Sequence, residues 1–221
     1  MPPEPDLHLV IARLREEIRR IERSPARREG RVACGLEGVD AALPEGGFPR
    51  GALSELSGGP ASGKTAVALA LVAALGPEDL AAWVDGRGEL YPPAAAARGV
   101  DLARLLVVRL SAAAATARTA SPDDVRQGLW AAEALLASGA FAAVIVDLPV
   151  PARLPGADAV ARRLQASAER GGAVGLWLGK GLRIPAAVRI EIAAADRGRR
   201  IVARASTGAA PPGGGGTHRV A

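Results

Sequence analysis

The chain has 221 residues, 49% hydrophobic and 23% charged; that balance excludes a disordered chain and leaves ample material for a core. Its single cysteine, Cys34, excludes an intrachain disulfide and a cysteine-cluster zinc site. The formal charge is +5, and with only 3% aromatic residues a large base-stacking platform is not expected.

Almost all the basic charge is arginine; Lys64 and Lys180 are the only lysines. No apolar run is long enough to span a bilayer. The N-terminus turns charged too early for a signal-peptide hydrophobic region, so a reducing cytoplasm is expected.

Residues 1–6 are Pro-rich and expected to fray. Over 7–23, Leu7, Ile11, Leu14, Ile18 and Ile21 recur at steps of four and three, the spacing of one helical stripe. Such a stripe needs a partner surface, either the chain's own core or a neighbouring subunit. A Pro/Arg-rich linker follows (24–31), so residues 1–31 read as helix plus linker and 32–206 as the core.

Ala52–Leu56 reads as a short buried strand and Thr65–Leu75 as an apolar helix. Strands are predicted at Leu80–Asp85 and Leu105–Leu110. Pro122–Ser138 reads as a helix with Val125, Leu129, Ala132 and Leu136 on one face. Phe141–Asp147 is an apolar strand ending in a carboxylate. A helix over Ala157–Arg170 and a strand over Ala173–Leu178 follow. Val188–Ile192 and Arg200–Ala205 read as a closing hairpin. Strands alternating with helices imply an α/β fold, a mostly parallel sheet covered on both faces. The tail over 207–221, with its PPGGGG run, is expected to be unstructured.

Between the first core strand and its helix stands Gly58-Gly59-Pro60-Ala61-Ser62-Gly63-Lys64-Thr65, which fits G-x-x-x-x-G-K-[ST] at every fixed position. Glycines let backbone N–H groups turn inward around phosphates, and the helix that follows presents its N-terminus to the negative charge. In that pattern Lys64 reaches the β- and γ-phosphates and Thr65 holds Mg²⁺ through its hydroxyl. The complementary element is an apolar strand ending in Asp, and Asp147 supplies it as an outer-sphere partner of Mg²⁺. The expected cofactors are ATP or ADP with Mg²⁺. The loop alone does not choose adenine over guanine.

These residues resemble a RecA-type recombinase core. GLEGVDAALPEGGFPRGALSELSGGPASGKT is similar to that family's approach to its phosphate loop, and WVDGRGELYPPAAAARGVDLARLLV to the strand, helix and strand that follow. The run from Ser121 to Asp147 resembles the helix leading to the metal-side strand, and AAVRIEI a late strand. The likeness covers roughly residues 33–205 and implies a RecA-like P-loop core with an N-terminal helix and a late antiparallel hairpin.

Several positions depart from the family pattern. Where the recombinases carry the glutamate that activates water, this chain has Arg87, which stays protonated and cannot act as a general base. Glu89 lies two residues on and is a doubtful substitute. The Ala94–Ala97 run stands where the family stacks a tyrosine on adenine, with Tyr91 offset. Gly179-Lys180 replaces the Asn-Gln sensor, leaving Lys180 as a phosphate contact. The DNA-gripping loops shrink to LPVPARLPGA and GLRIP, so Arg153 and Arg183 imply only weak, salt-sensitive DNA contact.

What is kept and what is lost resembles the ImuA-type accessory proteins. That resemblance implies damage-induced mutagenesis through contact with RecA, a Y-family-like polymerase subunit or an error-prone replicative polymerase. It also implies cytoplasmic location, nucleoid association on DNA damage, and ATP hydrolysis that is weak or absent. Leu7, Ile11, Leu14 and Ile18 are the expected partner-docking residues, with self-association as a further option. The alternatives are a DNA-dependent ATPase that forms filaments and a RecA relative acting on another protein. Cys34, Trp83 and Trp177 read as core residues.

Overall fold

The computed structural model describes residues 30–110, 121–151, 154–179, 184–195, 198–205 and 217–220. The stripe of Leu7, Ile11, Leu14 and Ile18, and with it the 1–31 unit up to residue 29, lies outside the described residues. So do Arg153, Lys180 and Arg183.

The lead-in to the core is a small antiparallel pair, β1 (Arg31–Val32) with β2 (Phe48–Pro49). Between them come α1 (Glu37–Asp40) and one 3₁₀ turn, Pro44–Gly46. Asp40 ties the segment together: its two carboxylate oxygens accept from the backbone N–H groups of Cys34 and Gly35, each at 2.8 Å. Val32, Cys34, Val39, Leu43 and Phe48 are buried beneath it.

Among the described residues the main sheet has eight strands in the order β10-β9-β8-β3-β7-β6-β4-β5. They are β3 (Ala52–Gly58), β4 (Leu80–Asp85), β5 (Leu105–Arg109), β6 (Phe141–Asp147), β7 (Val174–Leu178), β8 (Val188–Ala195), β9 (Gly198–Ala205) and β10 (Thr217–Val220). The six from β8 to β5 run parallel, and β9 and β10 pair antiparallel at one edge. Parallel strands are covered on both faces, which is why FAAVIVD and VGLWL are apolar at nearly every position.

Two cores lie on the two faces. On one, Leu56, Trp83, Ile145 and Leu176 pack with Val67, Leu69, Leu71 and Val72 of α2 (Lys64–Ala73) and with the lead-in segment. On the other, Leu53, Val84, Val144 and Trp177 pack with α4 (Pro122–Ala137) and α5 (Ala157–Gly171). Alternate strand residues thus serve alternate faces, as the pleat requires. A short helix, α3 (Pro92–Ala96), and a 3₁₀ turn at Leu102–Arg104 lead into β5.

The boundaries have local causes. Helix α4 opens on a capping box: Ser121 Oγ accepts from Asp124 N at 3.1 Å, and Asp124 Oδ2 accepts from Ser121 N at 3.2 Å, with Pro122 at the first helical position. Its buried face includes Val125, Leu129, Ala132 and Leu136, the four residues whose spacing predicted it.

The expected hairpin forms, with Val188 opposite Ala205 and Ala195 opposite Gly198. The expectation of an unstructured tail fails at its end. Thr217–Val220 adds as a strand to β9, with Thr217 opposite Val202 and Val220 opposite Arg199. Edge pairing is made by main-chain N–H and C=O groups, so it needs no apolar period in the added segment. Residues 206–216 lie outside the described residues.

Candidate nucleotide site

Because β3, β4, β6 and β7 are parallel, their C-terminal ends share one edge of the sheet, the edge at which open α/β sheets bind ligands. The phosphate loop leaves β3 there, the Asp85–Leu90 turn leaves β4, and β6 ends at Asp147.

Gly58 to Thr65 connect β3 to α2 as the pattern predicted. A Cβ on Gly58 would lie 2.4 Å from the Ile192 carbonyl oxygen and 2.6 Å from Ser62 Oγ, so only glycine fits. Gly63 caps α2 in the left-handed conformation (φ 101°), and no side chain caps the helix. The N–H groups of its first turn therefore remain available to an anion. Ala61 also takes a positive φ of 55°, a conformation that costs a non-glycine residue energy and is concentrated at ligand-binding turns. Lys64 folds back over the loop: Nζ donates to the carbonyl oxygens of Gly58 and Gly59 at 2.9 Å each and reaches Ser62 Oγ at 3.4 Å. Ser62 is buried and Thr65 is exposed. A phosphate oxygen entering the loop exchanges these carbonyl contacts of Lys64 for a charge-assisted one, the stronger kind.

At the metal-side edge the arrangement is different. Asp85 and Asp147 are register partners on β4 and β6. The Asp85 side chain is fully buried; its oxygens accept from Glu89 N at 3.0 Å and Leu90 N at 3.3 Å, and Arg109 Nε lies 3.5 Å away. Arg109 also donates to the Leu90 carbonyl oxygen at 3.0 Å. Asp85 is thus committed to holding the turn that carries Arg87. Gly86 lets that turn hug β6: its N–H donates to the Asp147 carbonyl oxygen at 2.9 Å, and a Cβ there would approach Leu148 Cδ2 to 2.4 Å. From this position Arg87 Nε donates to Asp147 Oδ1 at 2.9 Å.

Burial pushes the Asp147 carboxyl up to about 6; Arg87 opposes the rise, while Glu89 and Asp85 add to it by like-charge repulsion. Glu89 itself is exposed, on the same turn. Tyr91, half a turn further on, is exposed at the start of α3. Among the described residues, no three His, Cys, Asp or Glu side chains are grouped to hold a metal ion. The loop fits phosphates, and Thr65 stands exposed at the start of α2; Asp147, the carboxylate that would orient the waters of a bound Mg²⁺, carries the Arg87 guanidinium on one of its two oxygens.

In the sequence Arg87 and Asp147 are separate signals, one standing in place of a base and the other a metal-side acid, and nothing within either segment announces their pairing or the contact of Arg109 with Asp85. Trp130 belongs to no motif. It is 72% exposed on α4 and lines a cavity of about 410 Å³ with Asp123, Arg126 and Gln127. Its signal was present, since position 130 falls off the Val125/Leu129/Ala132/Leu136 face. Trp83 and Trp177 are buried, as expected, and so is Cys34, whose burial pushes the thiol up to about 12.

A parallel sheet with a phosphate loop after its central strand and an aspartate closing a nearby strand defines a P-loop nucleotide-binding fold. Within that class the chain belongs to the RecA N-terminal domain family, which matches residues 15–167, more than half its length.

It is 39% identical over 128 residues to the protein RecA of Lactococcus lactis subsp. cremoris (strain MG1363), covering 58% of this chain and 30% of that one. Against the RecA of Clostridioides difficile (strain 630) it is 37% identical over 128 residues, covering 58% and 33%. The RecA of Levilactobacillus brevis gives 39% over 128 residues, covering 58% and 30%. The match thus spans about a third of the length of these relatives. Among the described residues, no helix is long and apolar enough to cross a membrane.

Proposed function

We propose that this chain is a RecA-like nucleotide-binding accessory protein of the DNA-damage response and of error-prone translesion synthesis. It acts in the cytoplasm by contact with RecA, with mutagenic polymerase subunits, or with both, and hydrolyses ATP weakly or not at all. The observation that carries the reading is the Arg87–Asp147 pair at 2.9 Å. The phosphate loop keeps its full pattern, yet the position where the family resemblance puts the water-activating glutamate holds a permanent cation that cannot take a proton. Bound ATP or ADP then serves as a structural ligand, stabilising the fold by mass action. In this reading Leu7, Ile11, Leu14 and Ile18 form the helix-in-groove anchor.

The test is ATP binding and turnover with and without single-stranded DNA and RecA filaments, alongside co-sedimentation with those filaments and pull-down of the polymerase subunits. The expected result is nucleotide binding, turnover near background, and co-sedimentation that is lost when Leu14 and Ile18 are both changed to Asp. Brisk turnover on adding single-stranded DNA overturns the reading in favour of a DNA-dependent ATPase. Failure to associate with either RecA or the polymerase subunits removes the accessory role.

A further inference from the structure

We propose that Arg87 takes the place of the divalent cation in this site, so that the phosphate loop binds a nucleoside di- or triphosphate as the metal-free anion, its charge balanced by Lys64 and Arg87. The proposal rests on the nucleotide-binding reading above and goes beyond it in naming the ionic form of the ligand.

The placement of Arg87 is built into the backbone. Asp85 holds the turn through two main-chain N–H groups, Gly86 N bonds across to the Asp147 carbonyl oxygen, and Arg87 then reaches the Asp147 side chain. The sheet order makes the reach meaningful. With β7 and β6 between them, β3 and β4 are about 14 Å apart at ordinary strand spacing. By crossing to Asp147 on β6, the guanidinium moves one strand, about 5 Å, toward the phosphate loop.

Charge supports the same conclusion. Arginine stays protonated at every physiological pH, so the cation is permanent. A divalent ion held by Thr65 would need Asp147 to accept from its waters, and Arg87 already occupies Asp147 Oδ1 with a charge of the same sign as the ion, which disfavours it there. The neighbouring carboxylate offers no second place, because Asp85 is buried under Arg109 and its own turn. Arg87 spends Nε on Asp147 and keeps 38% of its side chain exposed, leaving a planar donor group of the kind that suits phosphate oxygens.

The test is the affinity of the full-length protein for a fluorescent ATP analogue, measured in EDTA and in excess Mg²⁺. Wild type should bind within about threefold in the two conditions, a difference well under the tenfold that 1.4 kcal/mol represents. Arg87→Ala should bind at least about tenfold more tightly with Mg²⁺ than without it, because Asp147 is freed to orient the waters of an ion on Thr65 and the competing cation is gone. Arg87→Lys, which restores a cation, should return toward metal indifference. Wild-type binding that collapses in EDTA overturns the proposal and leaves the nucleotide reading standing. Metal indifference in both wild type and Arg87→Ala overturns the role of Arg87. Absence of binding in either condition overturns the nucleotide reading itself, and this proposal with it.

Discussion

Asp85 and Asp147 sit side by side at the ends of β4 and β6, and each already has an arginine: Arg109 Nε lies 3.5 Å from Asp85 Oδ2, and Arg87 Nε lies 2.9 Å from Asp147 Oδ1. Two carboxylates on adjacent buried strand ends would otherwise repel, and each arginine relieves part of that cost. The consequence is chemical as well as structural, since the edge of the sheet where a water-activating acid is expected has become a row of matched ion pairs.

Removing Arg87 should raise the Asp147 midpoint above about 6, because Arg87 is what opposes burial there. The linkage has a definite sign. A carboxyl whose folded value lies above its unfolded value of 3.8 contributes stability that is full below that value and lost as pH rises through about 6. Arg87→Ala should push the upper end of that window to higher pH. Carbon-detected NMR titration of the Asp147 carboxyl, wild type against variant, reads both; a lower midpoint in the variant contradicts the assignment.

Lys64→Ala should weaken nucleotide binding by about 10- to 100-fold, the loss expected for charge-assisted hydrogen bonds of 1.5–3 kcal/mol. The far-ultraviolet circular dichroism should stay that of the wild type, since the core packs without the Lys64 side chain. Equal affinity in the variant would show that ligand does not enter the loop.

Cys34 should resist thiol reagents in the folded protein at pH 8 and react fully once denatured. Its thiol is raised to about 12, first by burial and then by the nearby Asp40. The same shift makes the folded state hold a proton that the unfolded chain releases from about pH 9 upward. Its contribution to stability is therefore complete below 9 and disappears on approach to 12. Timed reaction with an aromatic disulfide reagent checks the first claim, and denaturant melts at pH 8 and 10 check the second.

Leu71→Ala should destabilise the protein by about 2–5 kcal/mol, because Leu71 is fully buried between α2 and the sheet and its removal leaves a cavity. Ser121→Ala should cost less, about 0.5–2 kcal/mol, through loss of the α4 cap. Shifts in urea midpoint separate the two, and a larger loss from the cap than from the core would contradict this packing.

Much of the fold was legible in the sequence because its signals are local. Phe141–Asp147 and Leu80–Asp85 were bounded to the residue by their apolar runs. The α4 helix was off by a single residue at its end, owing to Ser121-Pro122 at its start and a clean helical period. The phosphate loop was legible for the same reason, since eight consecutive residues carry it. The terminal strand was not: Thr217–Val220 follows a Gly/Pro run, and its pairing depends on an open edge of β9 that nothing within those four residues announces.

The sequence by itself determined which segments are strands and helices, that the sheet is mostly parallel, and that one glycine turn is shaped for phosphate; each follows from periodicity or spacing within a few residues. Only the tertiary structure decided which side chains meet at the same edge of the sheet. Arg87 and Asp147 are sixty positions apart and meet because β4 and β6 become neighbours in one particular register. Strand order and register are set by packing over the whole sheet, so no local pattern could disclose that the residue standing where a base is expected had become the counter-ion of the metal-side acid.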